Sequence, residues 1–146
     1  MPESAIGDTI GIYVHLPFCR RRCSYCPFAI SVDLRLASRY HDCLVKEIGA
    51  IALPEVRVDT VFFGGGTPSL SASSDLVLVR RALGRFGLRD VREWTIEANP
   101  EDFRSGAVEE WKSLGVTRLS VGVQSLHESE LRPLGRLHGP EGAVAA

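Results

Sequence analysis

Residues 19–26 read CRRRCSYC, which sets Cys19, Cys23 and Cys26 at C-x3-C-x2-C spacing directly after an apolar run. Three thiolates so spaced can hold three irons of a [4Fe-4S] cluster and leave the fourth iron open to another ligand. An open coordination position is what separates a reactive metal centre from a sealed structural one. Two other chemistries use clustered cysteines. Zinc would need further ligands, and only Cys43 is left, inside a helical pattern. A disulfide framework suits small secreted domains, whereas this chain has four cysteines in 146 residues and a polar stretch, not a secretory segment, after Met1.

Further polar or backbone-baring positions follow apolar runs elsewhere. Gly64-Gly65-Gly66-Thr67-Pro68-Ser69 removes three successive side chains, so peptide groups there can approach a ligand closely, although a glycine run is also an ordinary tight turn. Glu97 closes the apolar run WTIEANP, where a carboxylate is costly to bury unless paired. Gln124 stands in RLSVGVQS. Tyr13 and His15 alternate with Val14 and share one strand face. Arg20, Arg21 and Arg22 fill the first cysteine gap; they read either as a solvated loop or as positive charge offsetting a thiolate cluster and receiving an acidic electron donor. Cys43 reads as a small apolar residue beside a helix stripe.

Four β-branched and apolar runs must position these residues: Thr9–Leu16, Val58–Phe63, Glu93–Ala98 and Val116–Val123. Between them lie helical patterns. Leu34–Ala52 carries Ala37, Tyr40, Leu44, Ile48 and Ile51 on one stripe. The next carries Leu76, Val79, Leu83 and Phe86, with Ser73, Ser74 or Asp75 as N-cap and Gly87 as stop. The third carries Val108, Trp111 and Leu114, capped by Ser105 and ended by Gly115. From His127 the chain reads as helix interrupted by Pro133 and Pro140. Such alternation predicts right-handed βαβ units, a parallel sheet and an α/β fold. In parallel α/β barrels the reactive residues lie at the carboxyl ends of the strands, which is where the cysteines, the glycine segment, Glu97 and Gln124 fall. The hydrophobic content of 45% fits an ordinary globular domain, the net charge of -1 points to no nucleic-acid partner, and no run is long enough to span a bilayer. A cytoplasmic location, which keeps thiols reduced for metal, is the expectation.

Taken in order from about Ile12 to His138, the segments YVHLPFCRRRCSYCPF, FFGGGTPS, IEANP, RLSVGVQS and LGRLH resemble the radical S-adenosylmethionine superfamily. Within it they resemble the branch of oxygen-independent coproporphyrinogen III oxidase and the heme chaperone HemW. The resemblance implies a partial (β/α) barrel, apparently truncated, with residues 1–146 forming the amino-terminal part of the core domain and no second domain present. It implies a [4Fe-4S] cluster on Cys19, Cys23 and Cys26, and S-adenosylmethionine held by Gly65, Gly66, Thr67, Glu97 and Gln124, with Tyr13 beside cluster and cofactor. It also implies the reaction: the reduced cluster passes one electron to S-adenosylmethionine, giving methionine and a 5'-deoxyadenosyl radical.

In the oxidase branch a further cysteine stands two positions after the third, where this chain has Phe28. The CPF ending resembles HemW, which binds heme and transfers it to acceptor proteins. Heme chaperone is therefore the favoured expectation. A coproporphyrinogen dehydrogenase-type oxidoreductase and an inactive cluster-binding fragment are the alternatives. The partners so implied are heme or a porphyrinogen, an electron donor such as flavodoxin, and a heme-acceptor protein. A truncated barrel would leave its fourth strand as an open edge and its inner face uncovered, which predicts poor solubility.

Overall fold

Along Thr9–Leu16 the side chains alternate as a half-buried strand requires, with Val14 and Leu16 buried and Tyr13 59% exposed on the other face. A computed structural model describes residues 9–52 and 56–146; the polar stretch after Met1 lies outside them. The elements run β1 (Thr9–Leu16), α1 (Ala37–Ala50), β2 (Arg57–Gly65), α2 (Ser73–Leu83), β3 (Glu93–Ala98), α3 (Ala107–Ser113), β4 (Arg118–Val121), α4 (Glu128–Leu134) and α5 (Pro140–Ala145). The strands form one sheet in the order β1-β2-β3-β4, parallel throughout. This is an open α/β sheet, a partial barrel whose ends do not meet.

One sheet face carries the core. Val14, Leu16, Val61, Phe63, Trp94, Ile96 and Ala98 pack with Ile48 of α1, Leu76, Val79 and Leu83 of α2, and Trp111 of α3. Full burial of one such side chain is worth about 1.5–3 kcal/mol, so the helix-facing side holds the sheet together. The other face bears Tyr13 stacked on Phe62, ring centroids 5.9 Å apart. Helices on one side leave the strand ends and this inner face free to build a site.

Several local expectations need correction. Ser73, Ser74 and Asp75 do not cap α2: Ala72, in extended conformation, accepts from Asp75 and Leu76 through its carbonyl, and the Ser73 hydroxyl turns to Glu110. Ser105 does not cap α3, because Gly106 at φ 81 turns the chain and accepts the first helical bond from Glu110. The α1 stripe buries His41, whose Nδ1–H donates to Ala37 O at 2.7 Å, whereas Ile51 lies past the helix and is exposed. On α3 it is Ala107, not Val108, that is buried with Trp111. The fourth strand covers only Arg118–Val121, and α4 continues through Pro133 in its last turn. Gly87 and Gly115 do terminate their segments, at φ 71 and φ 95.

Candidate functional site

β2 ends in Gly64-Gly65 and passes into Gly66 because the neighbours leave no room for side chains there. A Cβ on Gly66 would lie 2.6 Å from Pro17 C and 2.7 Å from Phe18 O. That closeness allows Gly66 N–H to donate to Leu16 O at 2.9 Å and Thr67 N–H to Phe18 O at 2.8 Å, binding the glycine loop to the entrance of the cysteine loop. Gly65 has φ 118, a conformation that favours glycine, and points its N–H at Glu97 Oε2, 3.0 Å away. The end of β2 is thus tied to β1 on one side and β3 on the other.

The cysteine loop leaves β1 through Pro17 and Phe18 and is pinned at its base by Cys19 N–H to Ser31 O at 3.0 Å and Ser31 N–H to Pro17 O at 2.8 Å. All four cysteines are free thiols; Cys19, Cys23 and Cys26 are half-buried, and Cys43 is exposed on α1. The first three face one cavity of about 280 Å³, together with Gly65, Gly66, Thr67, Glu97 and Gln124. Tyr13 is not among the cavity-lining residues. Its hydroxyl meets His15 Nδ1 at 3.1 Å, and its phenol is held above its usual range by burial and by the Glu97 carboxylate. His15 Nε2 lies 2.9 Å from the Ala29 carbonyl, which can only accept, so Nε2 carries the proton and Nδ1 accepts from Tyr13.

Donors converge on the sulfurs. Thr67 Oγ1 lies 3.5 Å from Cys19 Sγ, and Arg136 Nη1 lies 3.7 Å from Cys23 Sγ. Burial pushes the Cys19 thiol up, the Thr67 hydroxyl draws it back, the neighbouring Cys26 and Cys23 raise it again, and Arg136 lowers it. Among the described residues no three His, Cys, Asp or Glu side chains converge on the point a single metal ion would occupy. A cuboidal cluster asks for something else, one thiolate on each of three irons, with hydrogen bonds to sulfur tuning its potential. Three half-buried thiols around one cavity, two of them facing a donor, fit that group.

Three residues at this site, Arg136, Asn99 and His138, had no role in it read from the sequence. Arg136, in LGRLH, donates through Nη2 to Asn99 Oδ1 at 2.5 Å and Gly122 O at 2.6 Å while reaching Cys23. Asn99 in turn donates to Thr67 Oγ1 at 3.1 Å. The loop after β3, the loop after β4 and the two cysteine- and glycine-bearing loops are therefore one hydrogen-bonded assembly. Gln124 sits at φ 64 in this assembly, the non-glycine residue with positive φ among those described. The buried His138 holds the preceding carbonyl, its Nε2 lying 3.0 Å from Val123 O. Only the grouping of Gly135, Arg136 and His138 in LGRLH could have flagged the roles of Arg136 and His138; their partners lie in other segments.

The arginine triplet is exposed, as a solvated loop would be, yet its side chains are engaged. Arg20 pairs with the buried Asp102, Arg22 donates to Ile30 O at 2.9 Å, and Arg21 lines the cavity beside Gly135. Phe28, 62% exposed, and Tyr25 form an aromatic part of the cavity wall.

Comparison with known proteins bears on the same residues. A model of the Radical SAM superfamily matches residues 13–146. The chain is similar to radical S-adenosyl methionine domain-containing protein 1, mitochondrial, of Danio rerio, with 40% identity across 99% of this chain and 33% of that protein. It is similar to heme chaperone HemW of Escherichia coli strain K12, with 35% identity across 94% of this chain and 38% of that protein. Among solved structures, coproporphyrinogen III oxidase (HemN) from Escherichia coli superposes with a TM-score of 0.84 and 26% identity, across 95% of this chain and 33% of that one. The chain spans about a third of the length of the relatives it matches.

Proposed function

From the premise that this chain belongs to the radical SAM superfamily, we propose that it is the cluster- and cofactor-binding portion of a HemW-like heme chaperone. The observation that supports this most directly is the single cavity shared by Cys19, Cys23, Cys26, Gly65, Gly66, Thr67, Glu97 and Gln124. In this reading the three cysteines hold a [4Fe-4S] cluster. When bound and reduced, the cluster supplies an electron to S-adenosylmethionine.

The protein's own part is position and electrostatics. Thr67 and Arg136 donate toward the Cys19 and Cys23 sulfurs, so hydrogen bonds would fall on the sulfur ligands of a bound cluster. The Gly65 and Gly66 backbone, free of side chains, lets a ligand lie close to the peptide groups. Glu97 offers a carboxylate for the cationic amino end of S-adenosylmethionine, with one oxygen already held by Gly65. Tyr13 acts from the sheet face beside Glu97 rather than from the cavity wall.

Phe28 favours chaperone over oxidase, because it stands where the oxidase pattern has a cysteine, and the similarity to HemW is on that side. The other wall residues, Tyr25, Leu137 and Ile30, give heme an apolar approach. The electron donor, of flavodoxin type, and the heme acceptor belong to this proposal, as does a cytoplasmic location; among the described residues no helix is long and apolar enough to cross a membrane.

The test is electron paramagnetic resonance on the anaerobically reconstituted, dithionite-reduced chain, with and without S-adenosylmethionine, followed by titration with heme. A [4Fe-4S] signal that changes with S-adenosylmethionine, and saturable heme binding without porphyrinogen turnover, are expected. Conversion of coproporphyrinogen III to protoporphyrinogen IX by the full-length protein would replace the chaperone reading with the oxidase. A signal indifferent to S-adenosylmethionine would leave only a cluster-binding fragment.

A further inference from the structure

Asp102 lies in the turn after β3 with its side chain 2% exposed. The Arg20 guanidinium donates to its Oδ1. The Ser69 hydroxyl donates to Oδ2 at 2.6 Å, and the Asn99 N–H reaches the same oxygen at 3.3 Å. One buried carboxylate therefore receives donors from the cysteine loop, from the glycine loop and from its own loop. A carboxylate withdrawn from water is expensive unless its oxygens are occupied by charge and hydrogen bonds, so the position of its partners is strongly constrained.

The constraint falls on a segment with little else to hold it. Among the described residues, no backbone hydrogen bond involves residues 20–22, the stretch between Cys19 and Cys23. Its ties are side chains: Arg20 to Asp102 and Arg22 to Ile30 O. Arg20 is 44% exposed, so the pair closes at the surface over a buried acid, not in the core. Arg39, exposed on α1 and outside the cavity lining, supplies an internal comparison.

We propose that Asp102 and Arg20 form a positioning pair that holds the Cys19–Cys23 segment against the loops after β2 and β3, and so sets how firmly a cluster is retained. This rests on the reading that the three cysteines hold a cluster. Asp102 touches neither sulfur nor cofactor; it acts through Arg20.

The experiment uses the full chain in two states. In the anaerobically reconstituted protein, chelator-driven iron release is timed for the wild type, Arg20→Gln, Arg20→Lys, Arg39→Gln, Asp102→Asn and the double variant Arg20→Gln with Asp102→Asn. Release about tenfold faster is expected for Arg20→Gln and Asp102→Asn, a partial return toward wild type for Arg20→Lys, and no change for Arg39→Gln. The double variant should be no faster than the faster single one, as two members of one pair require. In the metal-free protein, limited trypsin digestion of Asp102→Asn, which keeps every arginine, should cut after Arg21 and Arg22 about tenfold faster than in the wild type. Unchanged digestion overturns the pair, as does unchanged iron release in Arg20→Gln or release that Arg39→Gln speeds as much. A wild type that holds no iron, with digestion still faster in Asp102→Asn, would sustain the positioning pair and overturn only the cluster reading.

Discussion

The main-chain N–H of Gly65 donates to Glu97 Oε2 across 3.0 Å, joining residues 32 apart and locking the ends of β2 and β3 to each other. The same carboxylate lines the cavity, so one of its oxygens is structural and the other is available to a ligand. Glu97→Ala leaves the Gly65 N–H without its partner, which should cost about 1–3 kcal/mol of stability, and removes the acid, which should weaken S-adenosylmethionine binding. Glu97→Gln keeps an acceptor for Gly65 and should lose affinity while retaining the wild-type melting temperature. Isothermal titration of S-adenosylmethionine into cluster-loaded protein, paired with thermal unfolding, separates the two effects.

Gly66 and Gly49 make a paired test of backbone crowding. A Cβ at position 66 would meet backbone atoms of Pro17 and Phe18 that have no freedom to retreat, whereas one at Gly49 near the end of α1 meets nothing within 4 Å. Gly66→Ala should destabilise by about 1–3 kcal/mol, and Gly49→Ala should stabilise by about 0.5 kcal/mol. Urea unfolding of both variants reads the difference; equal midpoints would contradict the close approach of the β1 and β2 ends.

Gln124 holds a left-handed backbone, φ 64, next to a carbonyl gripped by His138. Left-handed geometry costs a residue with a Cβ about 1–2 kcal/mol. Gln124→Gly should therefore raise stability by about 1 kcal/mol and lower affinity for S-adenosylmethionine. A variant that loses stability as well would mean that the side chain, not the site, keeps Gln124 in that conformation.

Arg104 and the Ser73 hydroxyl hold the Glu110 carboxyl down at about 2. The ordinary value is about 4.3, so the folded form binds its proton less readily than the unfolded one, and the stabilisation is complete above that ordinary value. It is lost as pH falls toward 2. Glu110→Gln should lower stability in the neutral region and flatten the acid limb within that window, so that the two profiles converge as pH falls toward 2. Because the pair is exposed, raised salt should weaken the effect.

Cys43 stands exposed on α1, remote in the fold from the cavity that Cys19, Cys23 and Cys26 line. Cys43→Ala should bind as much iron as the wild type after reconstitution, and Cys23→Ala should bind markedly less. Iron and sulfide counting on the two proteins decides it; a loss of iron in Cys43→Ala would bring the fourth thiol into the site.

Elements with strong periodicity were legible at once. Thr9–Leu16 and Glu93–Ala98 emerge with their expected bounds, because alternation and a terminating Pro17 or Asn99-Pro100 are local properties. Helix starts were less legible. Ser73 and Ser105 have the right chemistry for a cap, but Ser73 finds Glu110, 37 residues away, and Gly106 turns the chain after Ser105. Capping is decided by competition among partners, and a distant partner leaves no mark on local sequence.

By itself the sequence determined the parallel strand order's building blocks, the cysteine spacing and the placement of polar residues at strand ends, because periodicity and turn chemistry act within a few residues. Only the tertiary structure decided which side chains share a boundary. Arg20 finds Asp102 across 82 residues, Arg136 reaches Cys23 across 113, and Tyr13 lies on the sheet face outside the cavity lining. Those pairings follow from sheet register and from the need of buried charges and donors for partners, and both are settled only when the strands assemble.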